Sequence, residues 1–293
     1  MHETVQVAQS DGFMSTVFHW PASISPLGVV LIAHGMGEHS LRYDSFATEL
    51  AAAGYYVYAA EHRGHGEPAR QADSLGDFGV AGFSVLASDL VKLVDWARRR
   101  HSGLPLILFG HSMGSFVAQL LLLDHSELID GAILSGSSAL DLLGGALAKA
   151  PTDGEPFAPF NAAFQPARTD FDWLSRDEEQ VDLYVQDPLC GFAATPSSFG
   201  SMLEAGERLA DPSALKCIRS NLPILIFSGD ADPVGGTAGA FVRELKERYE
   251  AAGLRGVSLK LYVGGRHEML NETNRLEVVG EVMSWLRRAR DTE

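Results

Sequence analysis

Cysteine is nearly absent: Cys190 and Cys217 are the two in 293 residues. Two cysteines build no disulfide framework, and without a CxxC spacing or an adjacent histidine cluster they suggest no thiol metal or redox centre. Long apolar runs are also lacking. Stretches such as Leu120–Leu123 fall far short of the roughly 18 residues that a membrane-spanning helix needs. Met1-His2-Glu3-Thr4 has neither a basic segment nor an apolar segment of a secretory signal, so the expected location is cytoplasmic. Positive charge is scarce. Lys and Arg total 23 against 38 for Asp and Glu, giving a net charge of −15 and a pI near 5.0. That balance argues against nucleic acid, whose phosphates require a basic footprint, and against charge-driven docking on anionic lipid. Neutral and apolar substrates remain open. What is abundant is apolar side chain, 46% of the sequence with 21% charged, the balance of a soluble globular chain rather than a disordered one.

The order of elements predicts an α/β fold. Thr4–Gln9 and Ser15–Trp20 read as two strands joined by Ser10-Asp11-Gly12, a turn with glycine available for positive φ. Gly28–Ala33 and Tyr55–Ala60 are apolar without alternation, as expected of strands buried on both faces. Pro105–Phe109 and Ala132–Ser135 continue the series. Helices are expected between them at Arg42–Ala53, Ser84–Arg100 and Met113–Asp124. Repetition at this pitch implies βαβ units, a mostly parallel sheet and helices on both faces. The rhythm breaks near Ser138. Residues 138–220 are rich in proline (Pro151, Pro156, Pro159, Pro166, Pro188, Pro196, Pro212) and offer helical stretches at Ala139–Ala150 and Ser197–Leu209. It resumes with a strand at Pro223–Phe227, a helix at Thr237–Ala251, a strand at Val257–Val263 and a terminal helix over Asn274–Arg290. The expected organisation is a core of residues 1–137 and 221–293 with an inserted helical segment of residues 138–220 on its surface.

Gly110-His111-Ser112-Met113-Gly114 matches G-x-S-x-G directly after an expected strand and at the start of an expected helix. That context turns a short motif into a candidate nucleophile at Ser112. Small neighbours let backbones approach at a sharp turn, and a helix N-terminus offers free N–H groups to a developing oxyanion. A serine nucleophile needs a base, and the base an orienting acid. The strand ending Ser228-Gly229-Asp230-Ala231-Asp232 supplies two aspartates, which local physics does not separate. The next strand ends at His267, the one histidine that follows them. Serine, acid and histidine in this chain order all fall at the carboxyl edge of the sheet, where such folds place ligands.

The oxyanion site needs a second donor besides the Met113 N–H. His34-Gly35-Met36-Gly37-Glu38-His39 ends the early strand, and its glycines allow the Met36 amide to turn inward. The histidines of this stretch and of His62-Arg63-Gly64-His65-Gly66 lack H-E-x-x-H spacing, so no metal is expected and no cofactor is implied. The second stretch is expected to brace the floor of the site.

Taken together, His34–Tyr43, His62–Gly66, Gly110–Gly114, Gly229–Asp232 and His267 resemble the monoacylglycerol lipase and lysophospholipase branch of the α/β-hydrolases, over roughly residues 3–136 and 221–290. The resemblance implies an α/β-hydrolase fold with a cap formed by the insert. It implies Asp232, the Asp of a G-x-x-D strand end, as the acid, with Met36 and Met113 as oxyanion donors. Glu61 stands where the family often has Asp, and both are acidic. The implied activity is serine-dependent hydrolysis of lipid-like carboxylic esters through an acyl-enzyme. Lining for the substrate is expected from His34 and Gly35 and, in the insert, from Leu140, Leu143, Phe160, Trp173 and Phe192, an apolar set suited to an acyl chain. The Ala139–Ala150 helix, apolar nearly all round, would be buried, meet a lipid surface transiently or pack on a second copy. The competing readings are a short-chain carboxylesterase, a thioesterase, or a non-hydrolytic binding protein on the same scaffold.

Overall fold

The computed structural model describes residues 2–150 and 157–290. Eight strands form one sheet in the order β1-β2-β4-β3-β5-β6-β7-β8. They are β1 (Glu3–Ala8), β2 (Met14–Trp20), β3 (Gly28–Ala33), β4 (Tyr55–Ala60), β5 (Leu106–His111), β6 (Gly131–Ser135), β7 (Ile224–Gly229) and β8 (Val257–Tyr262). The β1–β2 hairpin joins β4 antiparallel, and β3 to β8 run parallel. This is the expected mostly parallel α/β sheet.

Helices cover both faces, which is why the central strands carry no polar alternation. On one face lie α1 (Asp44–Ala52) and, at the far end of the chain, α11 (Arg275–Arg290); Phe46, Leu50, Val282 and Trp285 pack there with Val30 and Ile32 of β3. Val29 and Leu31 point the other way. They meet the core built by α3 (Phe83–Arg100), α4 (Met113–His125) and α10 (Ala240–Ala251), to which Leu86, Leu90, Phe116, Leu120, Val242 and Leu245 contribute. A short α2 (Gly66–Gln71), not expected from the sequence, follows β4.

Between β6 and β7 the described residues form helices and turns: α5 (Leu140–Leu147), α6 (Ala158–Asn161), α7 (Glu178–Gln186), α8 (Pro196–Ala210) and α9 (Pro212–Leu215). The expected helix Ala139–Ala150 is shorter than the sequence suggested, and Pro151 and Pro156 lie outside the described residues. Its solvent side is made of the small residues Gly145 and Ala146, while Leu140 and Leu143 are buried. Helix α7 went unread although its cap is a common one: Asp177 accepts from the N–H groups of Glu179 and Gln180. Two other helices start later than expected. Ser40–Tyr43 is a 3₁₀ turn ahead of α1, and left-handed Ala238 and Gly239 separate Thr237–Gly239 from α10. Among the described residues, no helix is long and apolar enough to cross a membrane.

Candidate active site

The carboxyl edge of the sheet collects the candidate residues because β3, β5, β7 and β8 all end there. Ser112 sits between β5 and α4 with φ 50° and ψ −121°, a conformation disfavoured for any residue with a Cβ. Strain of this kind costs on the order of 1–3 kcal/mol and persists where the surroundings over-determine it. Here they do. The Ser112 N–H donates to Ser135 O at 2.9 Å, and its carbonyl accepts from the Ser115 hydroxyl at 2.6 Å. The motif glycines are required by close approach: a Cβ on Gly114 would lie 2.1 Å from Ala33 O, and one on Gly110 2.6 Å from Gly114 O.

His267 is 2% exposed, and its Nδ1 lies 3.0 Å from both oxygens of Asp232. A carboxylate only accepts, so Nδ1 carries the proton and Nε2 is the basic nitrogen. Burial pushes the imidazole pKa down, but the Asp232 charge and hydrogen bond, with the charges of Glu268 and Glu38, together outweigh it and raise the pKa above its ordinary value. Asp232 is fully buried, which favours its neutral form. The His267 charge and hydrogen bonds from Ser228 Oγ (2.8 Å) and Val234 N–H (2.9 Å) nonetheless hold its pKa below the usual value. The structure separates the two aspartates that the sequence left open. Asp230 accepts from the Gly264 N–H at 2.7 Å and fixes that turn, whereas Asp232 touches His267. The Trp173 and His111 rings pack on His267, with centroids 4.9 and 4.8 Å away. Burial and the neighbouring His267 charge lower the pKa of His111 to about 4, so it is neutral beside the base.

The loop after β3 is fixed residue by residue. The Gly35 N–H donates to Glu38 Oε1 at 2.5 Å, and the Gly35 carbonyl accepts from His34 Nδ1 at 2.8 Å. The Gly37 N–H donates to His65 Nε2 at 3.3 Å, and its carbonyl accepts from the Tyr184 hydroxyl at 2.7 Å and the Gly191 N–H at 3.0 Å. Among the described residues, the Met36 and Met113 N–H groups have no protein acceptor. The second histidine stretch supports this loop from below. His34 Nε2 accepts from the His62 N–H at 3.1 Å, and burial lowers the pKa of His65 to about 3.

Ser112, His267, Met36 and Met113 open onto one apolar cavity of about 40 Å³. Of the lining expected from the sequence, Gly35, Leu143, Phe160 and Trp173 are there. Three residues are not. His34 is fully buried beneath the loop, with its ring 4.5 Å from that of His62. Leu140 is buried where α5 meets α8, so closely that a Cβ on Gly206 would lie 3.2 Å from its carbonyl carbon. Phe192 packs on His65 at 5.2 Å. The wall is completed by Leu147, Phe157, Leu174 and Phe199, which belong to the apolar side chains that the sequence places in the insert, and by Phe116, Tyr184, Met202 and Val234, which the sequence did not single out.

A buried ion cluster beside the cavity was also missed. Arg42 binds Glu38 and Glu268. Burial raises the Glu38 pKa, yet the Arg42 charge, the neighbouring histidines and the Tyr43 hydroxyl together outweigh it and bring it to about 2. Glu38 also accepts from the Tyr43 hydroxyl at 2.7 Å. The available signal was Glu38 and Arg42 four residues apart, with Glu268 next to the histidine. The fold further gathers His39, Asp187 and Cys190, whose ligand atoms lie within 4.8 Å of one another, a cluster the sequence reading did not expect. In it His39 Nε2 and Asp187 Oδ2 share a 2.9 Å hydrogen bond, and burial pushes the Cys190 thiol pKa up, away from the thiolate that a metal would need.

Comparison with known proteins agrees with this architecture. A carboxyl esterase from Bacillus coagulans, solved with glycerol, superposes with a TM-score of 0.87 at 27% identity over 99% of each chain. The monoacylglycerol lipase of Mycolicibacterium smegmatis is 30% identical over 268 residues, 91% of this chain and 90% of that one. The mouse monoglyceride lipase is 28% identical over 96% of this chain and 89% of its own. The profile described as serine aminopeptidase, S33, matches residues 24–274. With a strained serine elbow, an aspartate-bound histidine and that match over most of its length, the chain belongs to the S33 serine aminopeptidase family, and so to the serine hydrolases of the α/β-hydrolase fold.

Proposed function

We propose that the chain hydrolyses lipid-like carboxylic esters of the monoacylglycerol type, with Ser112 as nucleophile, His267 as general base and Asp232 as the acid that orients it. Ser112 attacks the ester carbonyl and gives its proton to His267 Nε2. The Met36 and Met113 N–H groups take the oxyanion. His267 then protonates the leaving alcohol, and water cleaves the acyl-enzyme by the same steps. One observation carries the reading: the strained serine, the aspartate-bound histidine and two unengaged amides converge on one apolar cavity. Peptide N-termini fit less well. Among the described residues, the two carboxylates on the cavity wall, Glu38 and Glu268, are already paired with Arg42, so neither is free to receive an ammonium group.

In this reading residues 138–220 are a cap on a core of 1–137 and 221–293. Support comes from Leu143, Phe160 and Trp173, which reach the cavity from that segment. The same segment would provide any transient contact with a lipid surface or a second copy. A cytoplasmic setting fits two unpaired cysteines.

The test is hydrolysis of monoacylglycerols and of p-nitrophenyl esters from C2 to C16, with labelling by a fluorophosphonate, for wild type and Ser112→Ala. A loss on the order of 10³-fold or more in the variant is expected. Turnover that survives the substitution would overturn the assignment. A second reading, a short-chain carboxylesterase, is favoured by the small cavity and by the likeness to the Bacillus enzyme. Turnover confined to the shortest esters would select it.

A further inference from the structure

His34 does not line the cavity, yet it is fully buried against the loop that does, and both of its ring nitrogens are committed. Nδ1 is 2.8 Å from the carbonyl oxygen of Gly35. A carbonyl cannot donate, so Nδ1 carries a proton and points it at that oxygen. On the other side of the ring, Nε2 accepts from the His62 N–H at 3.1 Å, with a Glu61 oxygen 3.3 Å away. The His62 and His65 rings pack against it with centroids 4.5 and 5.1 Å distant, so the imidazole has one orientation.

The consequence lies in the next peptide plane. The carbonyl that His34 holds belongs to the peptide whose N–H is that of Met36. Among the described residues, the one cis bond is Gln165–Pro166, so the Gly35–Met36 peptide is trans. In a trans peptide the C=O and N–H point in opposite directions. Drawing the Gly35 carbonyl down to the imidazole therefore aims the Met36 N–H away from it, toward the side of the loop where Met36 borders the cavity with Ser112. A flip of this one peptide would present a carbonyl oxygen, a repulsive acceptor, where the oxyanion needs a donor. Glycine at position 35 offers little resistance to such a flip. Glu38 secures the N–H of Gly35 but not its carbonyl.

We propose that His34 is a positioning residue that locks the Gly35–Met36 peptide in its donor-inward orientation. The proposal rests on the ester-hydrolase reading, in which the Met36 amide serves the oxyanion. It asks of His34 a single donor at the Nδ1 position. Asparagine places its amide nitrogen close to that position, whereas glutamine reaches the Nε2 position and leucine supplies no donor.

The test compares His34→Asn, His34→Gln and His34→Leu with wild type in kcat and KM on a monoacylglycerol or p-nitrophenyl ester. Loss of one oxyanion donor typically lowers kcat by about 10²–10³-fold. The Leu and Gln variants are expected to fall by about that factor in kcat with KM nearly unchanged, and Asn to recover most of the rate. Equal losses in Asn and Leu, or an effect carried by KM, would overturn the proposal. Wild type is its own control. If it neither turns over ester nor reacts with a fluorophosphonate, the functional reading fails; if it does both and Asn gives no recovery, the role of His34 alone fails. Because a fully buried site tolerates substitution poorly, a measurement on the unmodified protein stands beside the variants. In ¹⁵N-histidine NMR spectra Nδ1 of His34 should be protonated, and a ring protonated at Nε2 alone would overturn the proposal.

Discussion

Arg42 grips both carboxylate oxygens of Glu268, at 2.5 and 2.7 Å, across 226 residues of sequence. The same guanidinium reaches Glu38 Oε2 at 2.8 Å. Glu38 holds the Gly35 N–H, and Glu268 adjoins His267, so one cation ties the loop after β3 to the loop after β8. The two-point fork on Glu268 fits a guanidinium and not an ammonium.

Arg42→Met leaves Glu38 and Glu268 buried without a counter-ion, and losing one partner of a buried ion pair costs about 3–5 kcal/mol. Urea unfolding at neutral pH should show a loss of that size. Its pH dependence has a defined sign. In wild type the Glu38 pKa is depressed to about 2, so its contribution is present above the ordinary carboxylate value of 4.5 and is lost as pH falls toward 2. In the variant, unpaired burial raises both carboxylate pKa values, so the deficit is largest at neutral pH and shrinks on acidification. A deficit independent of pH would refute this account.

Asp232→Asn tests the other buried carboxylate. An asparagine in its place no longer enforces the Nδ1–H tautomer, and losses near 10⁴-fold in kcat are typical of such a change. The acid limb of kcat/KM reports the free-enzyme base. In wild type it should lie above 6.5, because the Asp232 charge raises the His267 pKa against burial. In the variant burial, the largest influence on this imidazole, is opposed only by the weaker Glu268 and Glu38 charges, and the residual activity should persist to lower pH. An unmoved acid limb would show that another group titrates.

Gly136 probes the packing of the same imidazole. Its φ is 54°, and a Cβ there would lie 2.9 Å from Cε1 of both His267 and His111. Gly136→Ala should therefore displace the base and lower kcat by at least about tenfold, in line with the sensitivity of catalysis to misplacements of about 1 Å. Gly12→Ala is the matched control. Its φ is 86°, but no atom lies within 4 Å of the new Cβ, so it should cost about 1–2 kcal/mol of backbone strain and leave turnover unchanged. Equal effects on kcat from the two would show that contact with His267 is not the cause.

The strands were legible because burial on both faces writes itself as an unbroken apolar run, as in Gly28–Ala33. Ser112 was legible because G-x-S-x-G needs a strand before it and a helix after it, and both can be read locally. The separation of Asp230 from Asp232 was not, since it depends on which carboxylate meets the Gly264 turn and which meets His267. Nor was the true cavity wall. Leu140 and Leu147 lie on one short helix and are equally apolar, yet one is packed into the core and the other borders the cavity. Periodicity tells inside from outside, but not core from cavity. The Arg42–Glu268 pair was invisible for a different reason: a contact spanning most of the chain has no local pattern.

The cavity itself makes the last prediction. Its 40 Å³ would hold a few water molecules, each needing about 10–15 Å³ on this measure. A long acyl chain does not fit beside Leu147, Phe199 and Met202 as they stand, so its binding must displace them, whereas a short acyl group need not. Met202 is unbranched and adaptable, and Phe199 projects from α8 into the same space. Phe199→Ala opens that end of the cavity, and one or two methylenes in an apolar pocket are worth about 1–3 kcal/mol of discrimination. The ratio of kcat/KM for C12 over C4 p-nitrophenyl esters should rise by about tenfold or more in Phe199→Ala. It should fall in Leu147→Trp, which fills the space from α5. A ratio unmoved by both would mean that the acyl chain takes another path from Ser112, and the assignment of this cavity to the acyl group would fail.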